Sequence, residues 1–204
     1  GYVKDVQTGM HDWVVSFDLN SLYPNILVQW NMSPETLVDQ SEMSGVDYYL
    51  DNHISPNPKY TLAANGSTYR RDKEGIIPSL IIDYYDERRS VKTQMLAAES
   101  AYQKDHTENL EKEINRLHNQ QMAIKILLNS LYGALANKYF KYFHPGMAEG
   151  VTMTGQLTIR WAEKAVNNEI NKVMKTDDKD YVIAIDTDSL YVDFGSLIKK
   201  LKPN

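Results

Sequence analysis

The sequence contains no cysteine, which excludes disulfides and thiolate-held metal and leaves the compartment open. It has no run of about 18 apolar residues, so no membrane-spanning helix is expected. Its first residues, Gly-Tyr-Val-Lys, lack the basic-then-apolar order of a secretory signal and lack an initiator Met, so the chain reads as a piece of a longer polypeptide. Basic charge is also not in excess, because 22 Lys and Arg face 27 Asp and Glu, for a net charge of -5. A protein whose main task is gripping phosphates usually carries the opposite balance, whereas a site that collects hard divalent cations favours carboxylates. What the chain does have is 204 residues with 42% hydrophobic and 24% charged content, enough for one large or two small globular domains with a real core.

Residues 13–19 alternate as a strand, with Trp13, Val15, Phe17 and Leu19 on one face and Val14, Ser16 and Asp18 on the other. Asn20 and Ser21 follow as candidate caps for a helix running toward Trp30, and Pro24 is tolerated in its first turn. Residues 38–75 are polar and read as an insertion. Within it, residues 60–63 and 67–70 flank Asn65-Gly66 as a hairpin. From Ser79 to about Gly133 the pattern predicts two long helices joined near residues 104–107. On the second, Ile124, Leu127, Leu128 and Leu131 share a core stripe, with Lys125, Asn129 and Tyr132 on the adjacent face. Gly146 and Gly150 suggest a break before a third helix carrying Ile159, Ala162, Val166, Ile170 and Val173. Residues 181–185 and 190–194 read as strands joined by Asp186-Thr187-Asp188-Ser189. This order predicts an α+β fold, with helices packed on an antiparallel sheet and no internal repeat.

Carboxylates at strand ends can converge at one edge of a sheet, and Mg²⁺ takes one or two carboxylates together with waters and phosphates. Two such ions about 3.5–4 Å apart serve an in-line phosphoryl displacement. Taken singly, however, Asp-Thr-Asp-Ser is an ordinary turn, Asp18 an ordinary cap, and a charge run an ordinary solvated surface.

Three segments in order carry more weight than any of them alone. Residues 18–24, Asp-Leu-Asn-Ser-Leu-Tyr-Pro, resemble the DxxSLYPS motif of family B DNA polymerases. Residues 125–133, Lys-Ile-Leu-Leu-Asn-Ser-Leu-Tyr-Gly, match that family's KxxxNSxYG, and residues 186–189 match its DTDS. The resemblance spans nearly the whole chain and is strongest toward the replicative polymerases of large tailed bacteriophages. It implies a palm, with antiparallel sheet and packed helices, built from residues 1–78 and 140–204. Residues 79–139 would form the fingers, a long antiparallel helical hairpin.

Carried over residue by residue, the resemblance makes Asp18 and Asp188 the bridging metal ligands, with the Leu19 carbonyl on the nucleotide-side ion and Asp186 a lesser ligand. The backbone N–H groups of Ser21, Leu22 and Tyr23 would hold the triphosphate at a helix start, where free donors and the helix dipole favour anions. Tyr23 resembles the steric gate that packs beneath the sugar and rejects a ribose 2′-OH. Arg88 and Lys92 share a face at i, i+4 and, with Lys125 on the opposing helix, would neutralise the triphosphate. Lys125 would also protonate the departing pyrophosphate. Asn129 would support the triphosphate, while Tyr132 and Gly133 would lie against the nascent base pair. Asn25 replaces the usual Ser with little expected effect, and Ala136 replaces a common Gly at the end of the fingers helix.

The implied reaction is template-directed addition of deoxynucleotides to a primer 3′ end, using two Mg²⁺ ions, or Mn²⁺ in their place. The implied partners are primer–template DNA, deoxynucleoside triphosphates, and exonuclease and thumb domains supplied in fused form or in trans. No membrane association is implied, and the location would be cytoplasmic, the host cytoplasm for a phage protein. An alternative of another class is an inactive or non-autonomous piece of a split or truncated polymerase that binds nucleotide and metal but needs the missing parts to act. A nucleotide cyclase or reverse transcriptase would share the metal-binding aspartates but not the KxxxNSxYG helix.

Overall fold

The computed structural model describes residues 1–40 and 45–202. Residues 41–44, within the segment read as an insertion, and residues 203–204 lie outside the described residues. Two antiparallel sheets and six helices make up the described fold, in agreement with the α+β reading. Strands β1 (Val3–Lys4), β2 (Val14–Asp18), β6 (Val182–Asp186) and β7 (Ser189–Asp193) form a sheet in the order β1-β6-β7-β2. Strands β3 (Leu37–Gln40), β4 (Tyr60–Leu62) and β5 (Ser67–Arg70) form a smaller one in the order β3-β5-β4.

Helices α1 (Leu22–Gln29), α3 (Ile76–Tyr102) and α4 (Glu108–Leu135) pack around the first of two cores. Leu27, Met32, Tyr69, Ile81, Leu117 and Leu135 are among its most buried members. The second core lies under the four-stranded sheet and includes Ile159, Ile170, Val182, Ile185, Leu190 and Val192. Helix α5 (Pro145–Met174) joins the two, giving Met147 and Val151 to the first core and Ile159 and Ile170 to the second. At 1.5 Å per residue it is about 45 Å long. The short helices α2 (Gly45–Asp51) and α6 (Gly195–Leu201) complete the chain.

Several local expectations need correction. Gly146 and Gly150 do not break the chain, because both lie inside α5, which starts at Pro145 with His144 Nδ1 accepting from the Met147 N–H at 3.1 Å. Their missing side chains serve close packing. A Cβ on Gly150 would stand 2.9 Å from Asn65 Oδ1, and one on Gly146 would strike the Gln40 side chain. The segment read as a polar insertion is accordingly anchored to the fold. The hairpin at Asn65-Gly66 forms as expected, but its tip is buried against α5. There the Ala64 N–H donates to Thr154 Oγ1 at 3.0 Å and Asn65 Nδ2 to the Gly146 carbonyl at 2.8 Å. Burial of Tyr69 in the same hairpin pushes its phenol up to about 12.

On α4 the core stripe is Leu117, Gln121, Ile124, Leu128 and Leu135, while Leu127 is exposed. On α5, Val173 is likewise exposed and Met174 packs inward instead. The α3–α4 connection falls at residues 103–107 as expected, and Thr107 Oγ1 accepts from the Leu110 N–H with Glu108 and Glu111 in the first turn. Ala136 ends α4 in an ordinary right-handed conformation, so no Gly is needed there.

Helix α3 begins at Ile76, three residues earlier than its pattern predicts, because side chains some forty residues upstream cap it. Glu35 Oε1 accepts from the Ile76 N–H at 2.6 Å, and Ser33 Oγ accepts from the Ile77 N–H at 3.3 Å. Burial pushes the Glu35 carboxyl up, but the Ile76 N–H and the Ser33 hydroxyl outweigh it and leave the net shift downward. A depressed carboxyl contributes stability above its unfolded value and loses it as pH falls through the folded one. Glu35→Ala is therefore expected to destabilise the protein by about 1 kcal/mol at neutral pH, the usual size of a lost helix cap. The deficit relative to wild type should shrink on acidification, as measured by urea melts at neutral and acid pH.

Candidate active site

Cross-strand register places the three aspartates. Asp18 pairs with Ser189, and Ser189 pairs in turn with Asp186, so the three residues form one row across β2, β7 and β6. Paired residues share a face. Leu190 and Val192, one and three positions along from Ser189, belong to the second core together with Ile185. The row containing Asp18 and Asp186 therefore lies on the opposite face, which is the alternation that the sequence of β2 predicts. That strand is nonetheless exposed along its whole length, because it is an edge strand. Trp13, expected in it, stands just outside with a left-handed φ of 54°.

Asp188 sits in the two-residue turn between β6 and β7, with Thr187 left-handed at φ 51°. The turn is fixed on three sides. The Asp188 N–H donates to the Asp186 carbonyl at 2.6 Å, and the Thr187 N–H donates to the Tyr2 carbonyl at 2.8 Å. The Leu19 N–H donates to the Asp188 carbonyl at 2.8 Å, tying the end of β2 to the turn. Thr187 Oγ1 also donates to Asp186 Oδ1 at 3.1 Å. Burial first, then the Asp18 carboxylate and then Asp186, push the Asp188 carboxyl up against the opposing pull of a backbone N–H. Among the described residues none of the three aspartates has a cationic ion-pair partner. No three acidic, His or Cys side chains among the described residues stand close enough to hold a metal by themselves. A donor set of two carboxylates, Asp18 and Asp188, still fits an ion such as Mg²⁺ that keeps waters and phosphates as its other ligands.

Beside this edge, α1 starts without the expected side-chain cap. Ser21 occupies the N-cap position in a left-handed conformation (φ 50°, ψ 50°) and makes no capping bond, while Asn20 only accepts from Asn25 Nδ2 through its carbonyl. The N–H groups of Leu22 and Tyr23, in the first turn, have no intrahelical acceptor, and Pro24 has no N–H to satisfy. A left-handed residue leading into a helix turns successive N–H groups toward one concavity suited to an anion.

Tyr23 is half-buried between two helices. Its ring lies 4.8 Å from that of Tyr132, tilted by 46°. On the α5 side, Gly155 leaves the space that the ring fills. Burial, then Tyr132 and Asp188, push the Tyr23 phenol up, so it stays neutral and close to the carboxylates. Lys125 and Asn129 are exposed on the same face of α4 as Tyr132, and the space beside Gly133 is open.

Arg88 and Lys92 line a hollow of about 580 Å³ between α3 and α1, together with Arg89, Tyr85, Asn25 and Val28. Arg88 Nε and the Tyr85 hydroxyl are both buried without a hydrogen-bond partner among the described residues. Lys125 is not among the residues that line this hollow. The replaced position Asn25 does line it. Sequence reasoning missed Arg89, Tyr85, Thr187 and Gly155. Thr187 stood inside the Asp186-Thr187-Asp188-Ser189 turn without a role of its own, and Gly155 left a signal as a glycine in the interior of a helical pattern.

The site thus combines a carboxylate-bearing sheet edge, uncapped N–H donors and cations on a helical hairpin, a set suited to a polyanion that carries divalent cations. A model of DNA polymerase family B matches residues 1–201, and the chain belongs to that family. It is 30% identical to a DNA-directed DNA polymerase of Escherichia phage RB69, over 98% of this chain and 27% of that protein. It is 32% identical to the DNA-directed DNA polymerase of Enterobacteria phage T4, over 93% of this chain and 26% of that protein. A DNA polymerase of Pyrococcus glycovorans is 31% identical over 94% of this chain and 20% of that protein. The chain spans about a quarter of the length of the two phage relatives. No helix among the described residues is long and apolar enough to cross a membrane.

Proposed function

We propose that the chain is the catalytic core of a template-directed DNA polymerase, in which Asp18 and Asp188 hold divalent cations at the edge of the four-stranded sheet. The observation that carries this reading is the Leu19–Asp188 backbone bond, which brings two chain-distant aspartates together with no cation to offset them. In this reading the sheet and α5 are the palm, and α3 and α4 are the fingers. Divalent ions, Mg²⁺ or Mn²⁺, supply charge stabilisation to an in-line displacement when bound. Asp18, Asp188 and the Leu19 carbonyl hold and orient them, and Asp186, restrained by Thr187, stands beside them.

The free N–H groups of Ser21, Leu22 and Tyr23 receive the triphosphate of the incoming deoxynucleotide. Arg88 supports this assignment, because a buried guanidinium N–H without a partner is a costly group that a phosphate oxygen would satisfy. Lys92 adds charge from one turn away. Lys125 and Asn129 approach from α4, with Lys125 giving a proton to the departing pyrophosphate. The primer 3′ hydroxyl loses its proton to solvent as its oxygen bonds to the α-phosphorus and the bond from that phosphorus to the pyrophosphate oxygen breaks. Tyr23 lies beneath the sugar, where its ring excludes a ribose 2′-OH, and Tyr132 and Gly133 border the new base pair. The protein would act in the cytoplasm, that of the host for a phage protein.

Primer extension on templates of different sequence tests this reading with the intact polypeptide. The product is expected to follow the template and to require a divalent cation. Template-independent or absent synthesis would contradict it. A second reading draws on the quarter-length match, in which the chain binds nucleotide and metal but extends a primer only with further protein parts. In that case residues 1–204 alone are inert and regain extension when exonuclease and thumb parts are supplied in trans.

A further inference from the structure

Helix α5 approaches the Tyr23 ring through Gly155, which is buried in the middle of that helix. A Cβ built on Gly155 would stand 3.0 Å from Tyr23 Cε1, with Leu22 Cδ2 at 3.5 Å and Ile26 Cδ1 at 3.6 Å. The ring also packs against Tyr132, at 4.8 Å between centroids. The ring is therefore in close contact with α5 at Gly155 and with the Tyr132 side chain. The backbone at position 155 does not itself require Gly, since Gly155 is not among the residues with positive φ. Alanine would favour the helix. Glycine at this position is explained by the space that it leaves.

We propose that Gly155 is a positioning residue for sugar selection, setting how far the Tyr23 ring is seated toward α5 and so the depth of the space beneath the incoming sugar. The proposal rests on the reading of Tyr23 as the residue that packs under that sugar. Gly155 touches no substrate and acts only through the ring. With Gly155 the ring settles against α5 and leaves room for a 2′-hydrogen but not for a 2′-hydroxyl. With a methyl group at this position, the ring must give by a few tenths of an ångström. The deoxyribose then loses its fit, while ribose, already in collision, loses less.

The test is a double-mutant cycle on the intact polymerase, measuring kcat and KM for a deoxynucleotide and for the matching ribonucleotide. Gly155→Ala is expected to lower deoxynucleotide kcat/KM on the order of tenfold, since misplacement of a positioned group carries large rate penalties. Ribonucleotide kcat/KM should change less, so the ratio between the two sugars narrows. In a Tyr23→Ala background, Gly155→Ala should leave that ratio unchanged. Thermal melts followed by circular dichroism should show the fold retained. An unchanged ratio in the single variant overturns the proposal, as does an equal effect in both backgrounds. Loss of the fold overturns it as well, because the ring and not the helix is required to yield. Failure of the underlying reading looks different, because Tyr23→Ala would then not raise ribonucleotide incorporation relative to deoxynucleotide.

Discussion

Asp188→Asn is expected to reduce nucleotide incorporation by at least about 10³-fold, the scale seen when one preorganised charge-stabilising group is removed from a reaction centre. The effect should fall on kcat and kcat/KM alike, since the carboxylate acts on the transferring phosphoryl group rather than on the remainder of the nucleotide. The same substitution should stabilise the metal-free protein. Asp188 is pushed up by burial and by Asp18 and Asp186, so its ionisation works against the fold above its unfolded value. Removing that charge is expected to raise Tm of the metal-free protein slightly. A variant that is more stable and inert separates a functional carboxylate from a structural one. A variant that is less stable and still active would place Asp188 among ordinary turn residues.

Arg88→Ala is expected to raise the nucleotide KM about 10- to 100-fold, the equivalent of one charge-assisted phosphate contact of about 1.5–3 kcal/mol. Its kcat should change less. The side chain makes no ion pair or hydrogen bond through its buried Nε, so truncation removes an unsatisfied donor and should leave Tm unchanged or slightly higher. Arg88→Lys should recover only part of the affinity, because an ammonium cannot reproduce the planar fork of a guanidinium. Steady-state kinetics with varied nucleotide concentration, alongside a thermal melt, reads both effects. A Tm loss of several degrees with an unchanged KM would assign Arg88 to the packing of α3 on α1.

Much of this was legible in the sequence because the signals are local. The alternation that puts Asp18 opposite the core in β2 is a property of five consecutive residues. The hairpin at Asn65-Gly66 and the turn between α3 and α4 are likewise written in adjacent residues. The failures involve partners distant in sequence. Gly146 and Gly150 look like helix breakers until Gln40 and Asn65 are seen filling the space beside them. Helix α3 gains a turn because Ser33 and Glu35 cap it from outside its own sequence. Leu127 satisfies the apolar periodicity of α4, but among the described residues its side chain is left exposed at the margin of the stripe formed by Ile124 and Leu128. At the site, the aspartates could be named from their motifs. The left-handed Ser21 and the contact of Gly155 with Tyr23 could not be, because both depend on how α1 is set against the sheet and α5.

The central claim is that Asp18 and Asp188 together hold the divalent cations of a polymerase. Metal-dependent primer extension by the intact polypeptide, compared among wild type, Asp18→Asn, Asp188→Asn and the double variant, tests it most directly. Residues that act as one unit are strongly non-additive. Each single variant is therefore expected to lose nearly as much activity as the double, with no recovery at raised Mg²⁺ or Mn²⁺. Additive losses, or a single variant that keeps more than about a tenth of wild-type incorporation where about 10³-fold is expected, would contradict the account.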